Sequence, residues 1–379
     1  MSHLFPNYGR RPIEIVEGKG TMVKDATGKE YYDFSSGIAV VSLGHANDKI
    51  VQAIQAQSEK LWHISNLFES SGQEKLAKSL VKDTHLQYGF FCNSGAEANE
   101  AAMKLARKHT GRDTIITFTN SFHGRTFGGI AATGQDKVKE GFGPLLQKFI
   151  TVPYNDCEAL EEVANEEVAA IMLEVVQGEG GVTPVTEEFV ACIQKLCEQH
   201  DILLILDEVQ TGIGRTGTMY AFEQTDFQPD IVTLAKGLGG GFPIGAMLGV
   251  EKLGATFGPG THGTTFGGNP LAVAVAQTVV DTINDDTFLQ SVQEKASYFH
   301  QQLNKALPKV EVKGWGFLVG LVVGDRLQDI VIQLEEKGVL TVPAGQGVLR
   351  LLPPLTVTKE EVEAVVEIVA DVIMNMEEK

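Results

Sequence analysis

The sequence predicts an α/β fold, with a large domain on a mainly parallel central sheet and a smaller α+β domain drawn from the N- and C-terminal segments. Three observations predict it. Short apolar runs of strand length recur at 88–92, 114–118, 168–173, 202–206, 231–235 and 245–250. Helical stretches such as 96–109 and 187–200 lie between several of them, and strands alternating with helices imply a parallel sheet covered on both faces. Beyond residue 285 that alternation stops and the character of the chain changes.

In chain order, residues 1–45 begin irregularly and then read as short strands around an Asp25-Ala26-Thr27-Gly28-Lys29 turn. Ile50, Val51, Ile54, Leu61 and Trp62 fall at roughly helical spacing over 47–62. The alternating strands and helices follow. A long amphipathic helix near 287–306 then leads to strands around 310–323 and 347–352, and to a charged helix over 358–376. The expected domains are therefore 46–285, the large one, and 286–379, the small one, with 1–45 joining the latter.

Composition narrows the function. A chain of 379 residues with 43% hydrophobic side chains has ample material for a sizeable core, and 41 glycines suit many tight strand-to-helix turns. A formal net charge of -18 repels a phosphate backbone, and no basic stripe offsets it, so nucleic-acid binding is not expected. Cys92, Cys157, Cys192 and Cys197 show no C-x-x-C spacing and no dense framework. They read as reduced thiols of a cytoplasmic protein, and no metal is expected. The first residues have no apolar signal region and no run reaches membrane-spanning length, so no membrane is expected as a partner.

Chemistry concentrates at strand ends, where open α/β sheets bind ligands. The run Ile202-Leu203-Leu204-Ile205-Leu206 ends in Asp207-Glu208-Val209-Gln210, and Asp230-Ile231-Val232-Thr233-Leu234-Ala235 ends at Lys236 before Gly237-Leu238-Gly239-Gly240-Gly241. An acid and a lysine so placed suit a pyridine cofactor. The lysine forms the imine, and the carboxylate keeps the ring nitrogen protonated so that the ring becomes an electron sink. A structural Asp–Lys ion pair or a metal-binding Asp-Glu uses the same residues.

Two further turns follow strands. Asn93-Ser94-Gly95-Ala96-Glu97-Ala98 opens a helix, where free N–H groups and the positive dipole end receive a phosphate, though an ordinary helix cap looks the same. Ser121-Phe122-His123-Gly124-Arg125-Thr126 offers an aromatic ring to stack on a flat cofactor and an arginine for a carboxylate, or simply a core Phe122 and a surface Arg125.

Together these segments resemble the class III pyridoxal-phosphate aminotransferases of fold type I. The resemblance spans almost the whole chain. It includes Leu43-Gly44-His45, the turns at 93–98 and 122–125, Gln177-Gly178-Glu179-Gly180-Gly181, Asp207-Glu208-Val209-Gln210, Lys236-Gly237, Thr264-Thr265-Phe266-Gly267-Gly268-Asn269-Pro270 and Arg350-Leu351-Leu352-Pro353-Pro354-Leu355. It implies pyridoxal 5'-phosphate as cofactor, Lys236 as the imine-forming lysine and proton shuttle, and Asp207 at the pyridine nitrogen. It places Val209 and Phe122 on opposite ring faces, Gln210 at the ring hydroxyl, and Gly95 and Ala96 at the phosphate. Thr265 would come from the partner of a homodimer with shared active sites.

The resemblance also bears on substrates. Arg350 is expected to grip a carboxylate of glutamate or 2-oxoglutarate, and Glu179 to act as a movable counter-ion when the amino donor has no carboxylate beside its terminal amine. Ser35-Ser36-Gly37-Ile38-Ala39-Val40 and Leu61-Trp62-His63-Ile64-Ser65-Asn66-Leu67-Phe68 are similar to the branch that uses N2-acetylornithine. In that branch Arg125 receives the donor's α-carboxylate with Thr264 nearby. No tyrosine stands near Gly37-Ile38, which argues against free ornithine. Succinylornithine, 4-aminobutyrate and ornithine remain as alternative donors, with a non-catalytic regulator a remote one.

Overall fold

A computed structural model describes residues 3–377 of the chain. Met1, Ser2, Glu378 and Lys379, the outer ends of the 1–45 and 286–379 segments, lie outside the described residues. The largest sheet has seven strands: β1 (Tyr88–Cys92), β2 (Thr114–Phe118), β3 (Phe149–Val152), β4 (Val168–Leu173), β5 (Leu203–Asp207), β6 (Ile231–Leu234) and β7 (Gly245–Gly249). Their spatial order is β1-β7-β6-β5-β4-β2-β3. Strand β7 runs antiparallel to both β1 and β6, while the other neighbours pair in parallel. Every residue of β2, β4, β5, β6 and β7 is buried, which is why these strands are apolar runs rather than alternating ones.

Helix α1 (Gly95–Thr110) starts where the Ser94 hydroxyl accepts from the Glu97 N–H, and stops at the left-handed Gly111. Helix α2 (Glu187–His200) is capped by the Thr186 side chain and buries Phe189, Ile193 and Leu196. The helices Pro270–Ile283 and Leu327–Glu336, which the periodicity of the sequence does not single out, carry the chain past the large sheet and between the later strands.

Two smaller sheets accompany the large one. Strands Ile15–Lys19, Met22–Asp25 and Glu30–Asp33 form a meander, and Val339–Leu340 pairs in parallel with its last strand. The expected turn is built by Asp25 Oδ1, which accepts from the N–H groups of Thr27 and Lys29. The other sheet combines Val312–Trp315, Leu318–Val322, Val348–Leu351 and Val342–Ala344, all antiparallel, and places Arg350 opposite Gly320. Among the described residues no helix is long and apolar enough to cross a membrane.

Two features depart from the sequence reading. The thiols are not all reduced: Cys157 and Cys192 form a disulfide with a Cα separation of 6.1 Å, while Cys92 and Cys197 are free. Residue 157 opens a short helix after β3 and residue 192 lies on the buried face of α2, so packing of those two elements brings together cysteines 35 apart in sequence. Residues Ser36, Gly37, Ile38 and Ala39 wind a left-handed turn, with φ of 46, 63, 65 and 62°. For a β-branched isoleucine that conformation is strained.

Candidate active site

The parallel β5–β6 pairing sets Asp207 opposite Thr233, so Asp207 and Lys236 emerge side by side at the carboxyl edge of the sheet. Both line one cavity of about 420 Å³, together with Ser94, Gly95, Ala96, Phe122, Arg125, Val209 and Gln210. That size and mixed lining suit a small organic ligand. Lys236 adopts φ 41°, a left-handed conformation, at the end of its strand. Among the described residues its side chain forms no hydrogen bond or ion pair, and burial pushes its pKa down.

Asp207 is buried, and its carboxylate is fixed from three sides. Oδ2 accepts from Asn99 Nδ2 and from His123 Nδ1, both at 2.8 Å, and Oδ1 accepts from the Val209 N–H at 3.1 Å. Asn99 is itself oriented by the Thr233 hydroxyl, which donates to its Oδ1 at 2.6 Å. Burial alone would lower the His123 pKa, yet the Asp207 carboxylate outweighs it and holds the imidazole above its ordinary value.

The two turns meet over this acid. The Ser94 cap engages the Glu97 N–H, and the Ser94 carbonyl takes the Ala98 N–H, leaving Gly95 and Ala96 with the N–H groups that a helix start leaves free. A side chain on Gly95 is impossible without displacement, since its Cβ would lie 2.7 Å from Val209 Cγ1. Phe122 is half-buried on the lining, and the exposed Arg125 guanidinium lies 5.5 Å from its ring centroid.

Arg350 reaches the same region from the small sheet. Its side chain is buried, and Nη1 donates to the Gly178 carbonyl at 3.0 Å and to Glu179 Oε1 and Gln210 Oε1, each at 2.7 Å. Burial would raise the Glu179 pKa, but Arg350 reverses this and holds it below the usual value. Gln210, expected at a ring hydroxyl, here bonds Arg350. Thr264 and Thr265 are not brought to the cavity within the chain. The Thr264 hydroxyl accepts from Asn93 Nδ2, beside a separate groove that also includes Asn66 and Gln73, and Thr265 is exposed.

Three residues that the motifs left without roles stand in the site: Asn99, His123 and Glu174. Asn99 lies one helical turn after Gly95, and that spacing is enough to find it. Glu174 ends an apolar strand just as Asp207 does, and the same signal would have found it. It is buried on the cavity lining, and burial, partly countered by His123, pushes its carboxyl up to about 7.

These groups fit the expected cofactor. The unpartnered lysine, the fixed acid at a strand end, the free N–H groups of a helix start and the apolar Val209 and Phe122 on the cavity lining supply the parts that a phosphorylated pyridine aldehyde requires.

The fold and this site define a class, and the sequence match agrees: residues 5–373 match the family described as Aminotransferase class-III. The chain belongs to that family. It is 54% identical over 376 residues to the acetylornithine aminotransferase of Bacillus cereus, covering 98% of this chain and 97% of that protein. Against the acetylornithine aminotransferase of Bacillus subtilis the identity is 50% over 366 residues, covering 96% and 95%. Among solved structures, N-acetylornithine aminotransferase from Stenotrophomonas maltophilia superposes with a TM-score of 0.84 at 38% identity and 98% coverage of both chains. Ornithine aminotransferase from Toxoplasma gondii superposes with a TM-score of 0.95 at 32% identity, covering 99% of this chain and 93% of that one.

Proposed function

We propose that this class III aminotransferase moves the terminal amino group of N2-acetylornithine to 2-oxoglutarate, giving N-acetylglutamate 5-semialdehyde and glutamate in arginine biosynthesis. The observation that carries the reading is the buried Arg350 paired with the half-buried Glu179 in reach of Lys236. An arginine that keeps its own counter-ion accommodates two substrates, one with a carboxylate at the reacting end and one without. Identity of about half the residues to acetylornithine enzymes over nearly the full chain favours the acylated donor over ornithine.

Bound in the cavity, pyridoxal 5'-phosphate supplies a protonated conjugated ring that delocalises the electron pair left when a substrate C–H proton departs. The residues do the rest. Gly95 and Ala96 hold the phosphate through N–H groups, with Thr265 contributed by a second copy of the chain. Asp207, locked by Asn99 and His123, keeps the ring nitrogen protonated. Val209 and Phe122 would pack against the ring from the cavity lining. Lys236 Nζ, with its depressed pKa, is poised to accept the proton from the substrate carbon and to return it. Arg125 receives the donor's α-carboxylate at the cavity mouth. When 2-oxoglutarate enters, Glu179 yields Arg350 to its carboxylate in a bidentate pair.

We read 46–285 as the cofactor-binding domain and 1–45 with 286–379 as the smaller one, an arrangement supported by the Glu30–Asp33 pairing with Val339–Leu340. The homodimer is supported by large apolar side chains left exposed, among them Trp62, Leu67 and Phe266, with Phe68 on the lining of the second groove. A cytoplasmic location fits a biosynthetic enzyme of this kind. The test of the substrate reading is Arg350→Met. Its KM for 2-oxoglutarate is expected to rise about 100-fold while the half-reaction with N2-acetylornithine is retained. Equal loss in both half-reactions would show that Arg350 does not discriminate between the two substrates.

A further inference from the structure

Glu174 takes no part in holding the cofactor or moving the proton, yet its carboxylate is buried against the cavity and its two oxygens serve two different loops. Oε2 accepts from the Phe122 N–H at 3.2 Å, and Oε1 accepts from the Gly178 N–H at 3.4 Å. The first loop carries the aromatic face of the cavity. The second carries Glu179, whose carboxylate holds Arg350. The Gly178 carbonyl is also a partner of Arg350, so one peptide segment is tied at its N–H to Glu174 and at its carbonyl to the arginine.

We propose that Glu174 is a positioning residue for the Glu179 gate: its carboxylate ties the Phe122 loop to the Gly178–Glu179 segment and thereby sets how readily Glu179 leaves Arg350 for an incoming dicarboxylate. The inference rests on the reading of Glu179 and Arg350 as the substrate switch. With both bonds made, the backbone at 178 is fixed and the closed arrangement is favoured. Weakening the tie raises the fraction of molecules in which Arg350 is free, and a ligand that needs the open state then binds more tightly in proportion to that fraction. The charged groups facing Glu174 are His123 and Lys236, which favour its ionised form, and Asp207, which opposes it; the hydroxyl of Tyr154 caps its backbone carbonyl. Ionisation strengthens the tie and protonation of one oxygen removes an acceptor, so the gate loosens as the pH falls.

The experiment uses the cofactor-loaded enzyme and glutarate, a dicarboxylate that cannot react, with binding measured by calorimetry between pH 6 and 8. Glu174→Gln, which places an amide against one of the two N–H groups, is expected to tighten glutarate about five- to tenfold at pH 8 and to flatten the pH dependence. Glu174→Asp, shorter by one methylene, is expected to shift affinity in the same direction and to retain a pH dependence. Amide hydrogen exchange over 174–182 is expected to quicken in both. Glu179→Gln is measured alongside. If it leaves glutarate affinity unchanged, the gate reading itself fails. If it tightens glutarate while both Glu174 variants bind as wild type, the gate stands and Glu174 does not position it. Weaker glutarate binding in the Glu174 variants also overturns the proposal.

Discussion

His123 Nδ1 donates to Asp207 Oδ2 at 2.8 Å in a site where neither side chain is exposed to water by more than a few per cent. The pair makes the orientation of the acid depend on a residue that does not itself face a strand end. His123→Gln is expected to lower kcat about tenfold and to weaken cofactor retention, because one of the two anchors of Oδ2 is lost. The pH sign follows from the raised histidine pKa. The stabilisation from the pair is fully present below about 6.5, the unfolded value, and fades as the pH rises through the higher folded value. Thermal melts of wild type and His123→Gln should therefore converge with increasing pH.

Lys236 presents the opposite case. Burial depresses its pKa, so below the folded value the protein bears the full cost of an ammonium deprived of solvent, and stability rises with pH between the folded and the unfolded value. Lys236→Met is expected to melt higher than wild type when both lack cofactor, with the gap closing as the pH approaches about 10, the unfolded value. Lys236→Ala is expected to lose turnover by at least about 1000-fold while cofactor binding is only weakened. Turnover near the wild-type rate in a stoichiometric glutamate assay contradicts the assignment.

Glu208, beside the catalytic acid in sequence, holds the chain in place. Its carboxylate accepts from the Thr211 hydroxyl and from the N–H groups of Ala221 and Phe222, all buried. Glu208→Ala leaves those two N–H groups unpaired and is expected to cost about 2–4 kcal/mol in urea unfolding. Burial pushes the Glu208 carboxyl up to about 7, so its contribution is fully present below about 4.5 and is lost as the pH rises through 7. The penalty of the substitution should shrink over the same interval.

The exposed rings of Trp62 and Phe68 give a test of assembly. Each is 64% exposed in the single chain, and Phe68 lines the groove that includes Thr264. The double variant Trp62→Asp, Phe68→Asp is expected to sediment as a monomer and to lose activity with its partner's threonine. A wild type that sediments as a monomer, or a monomeric variant with full activity, contradicts the shared site.

What the sequence disclosed follows from where the information lies. Lys236 and Asp207 were legible because an abrupt change from apolar run to ionisable group marks the carboxyl edge of a buried strand, and β5 and β6 do lie side by side. The turn at Gly95 was legible because a helix start after a strand has one geometry. The disulfide was not, because the meeting of Cys157 with Cys192 depends on how two helices pack. Nor was the left-handed turn at 36–39, since propensity speaks against Ile38 there; Asp33 Oδ1 accepts from the Ser35 and Ser36 N–H groups at its start. The Gln210 bond to Arg350 joins a β5 loop to a strand of another sheet, a distance that no local pattern encodes.

The identity of the amino donor is decided by the half-reaction without 2-oxoglutarate. N2-Acetylornithine, 4-aminobutyrate and ornithine are added separately to the cofactor-loaded protein, and the visible absorption of the bound cofactor is followed. Rapid loss of that band is expected with N2-acetylornithine, and little change with the other two. Loss mainly with 4-aminobutyrate or ornithine would contradict the acetylornithine reading and assign the chain to another activity of the same family.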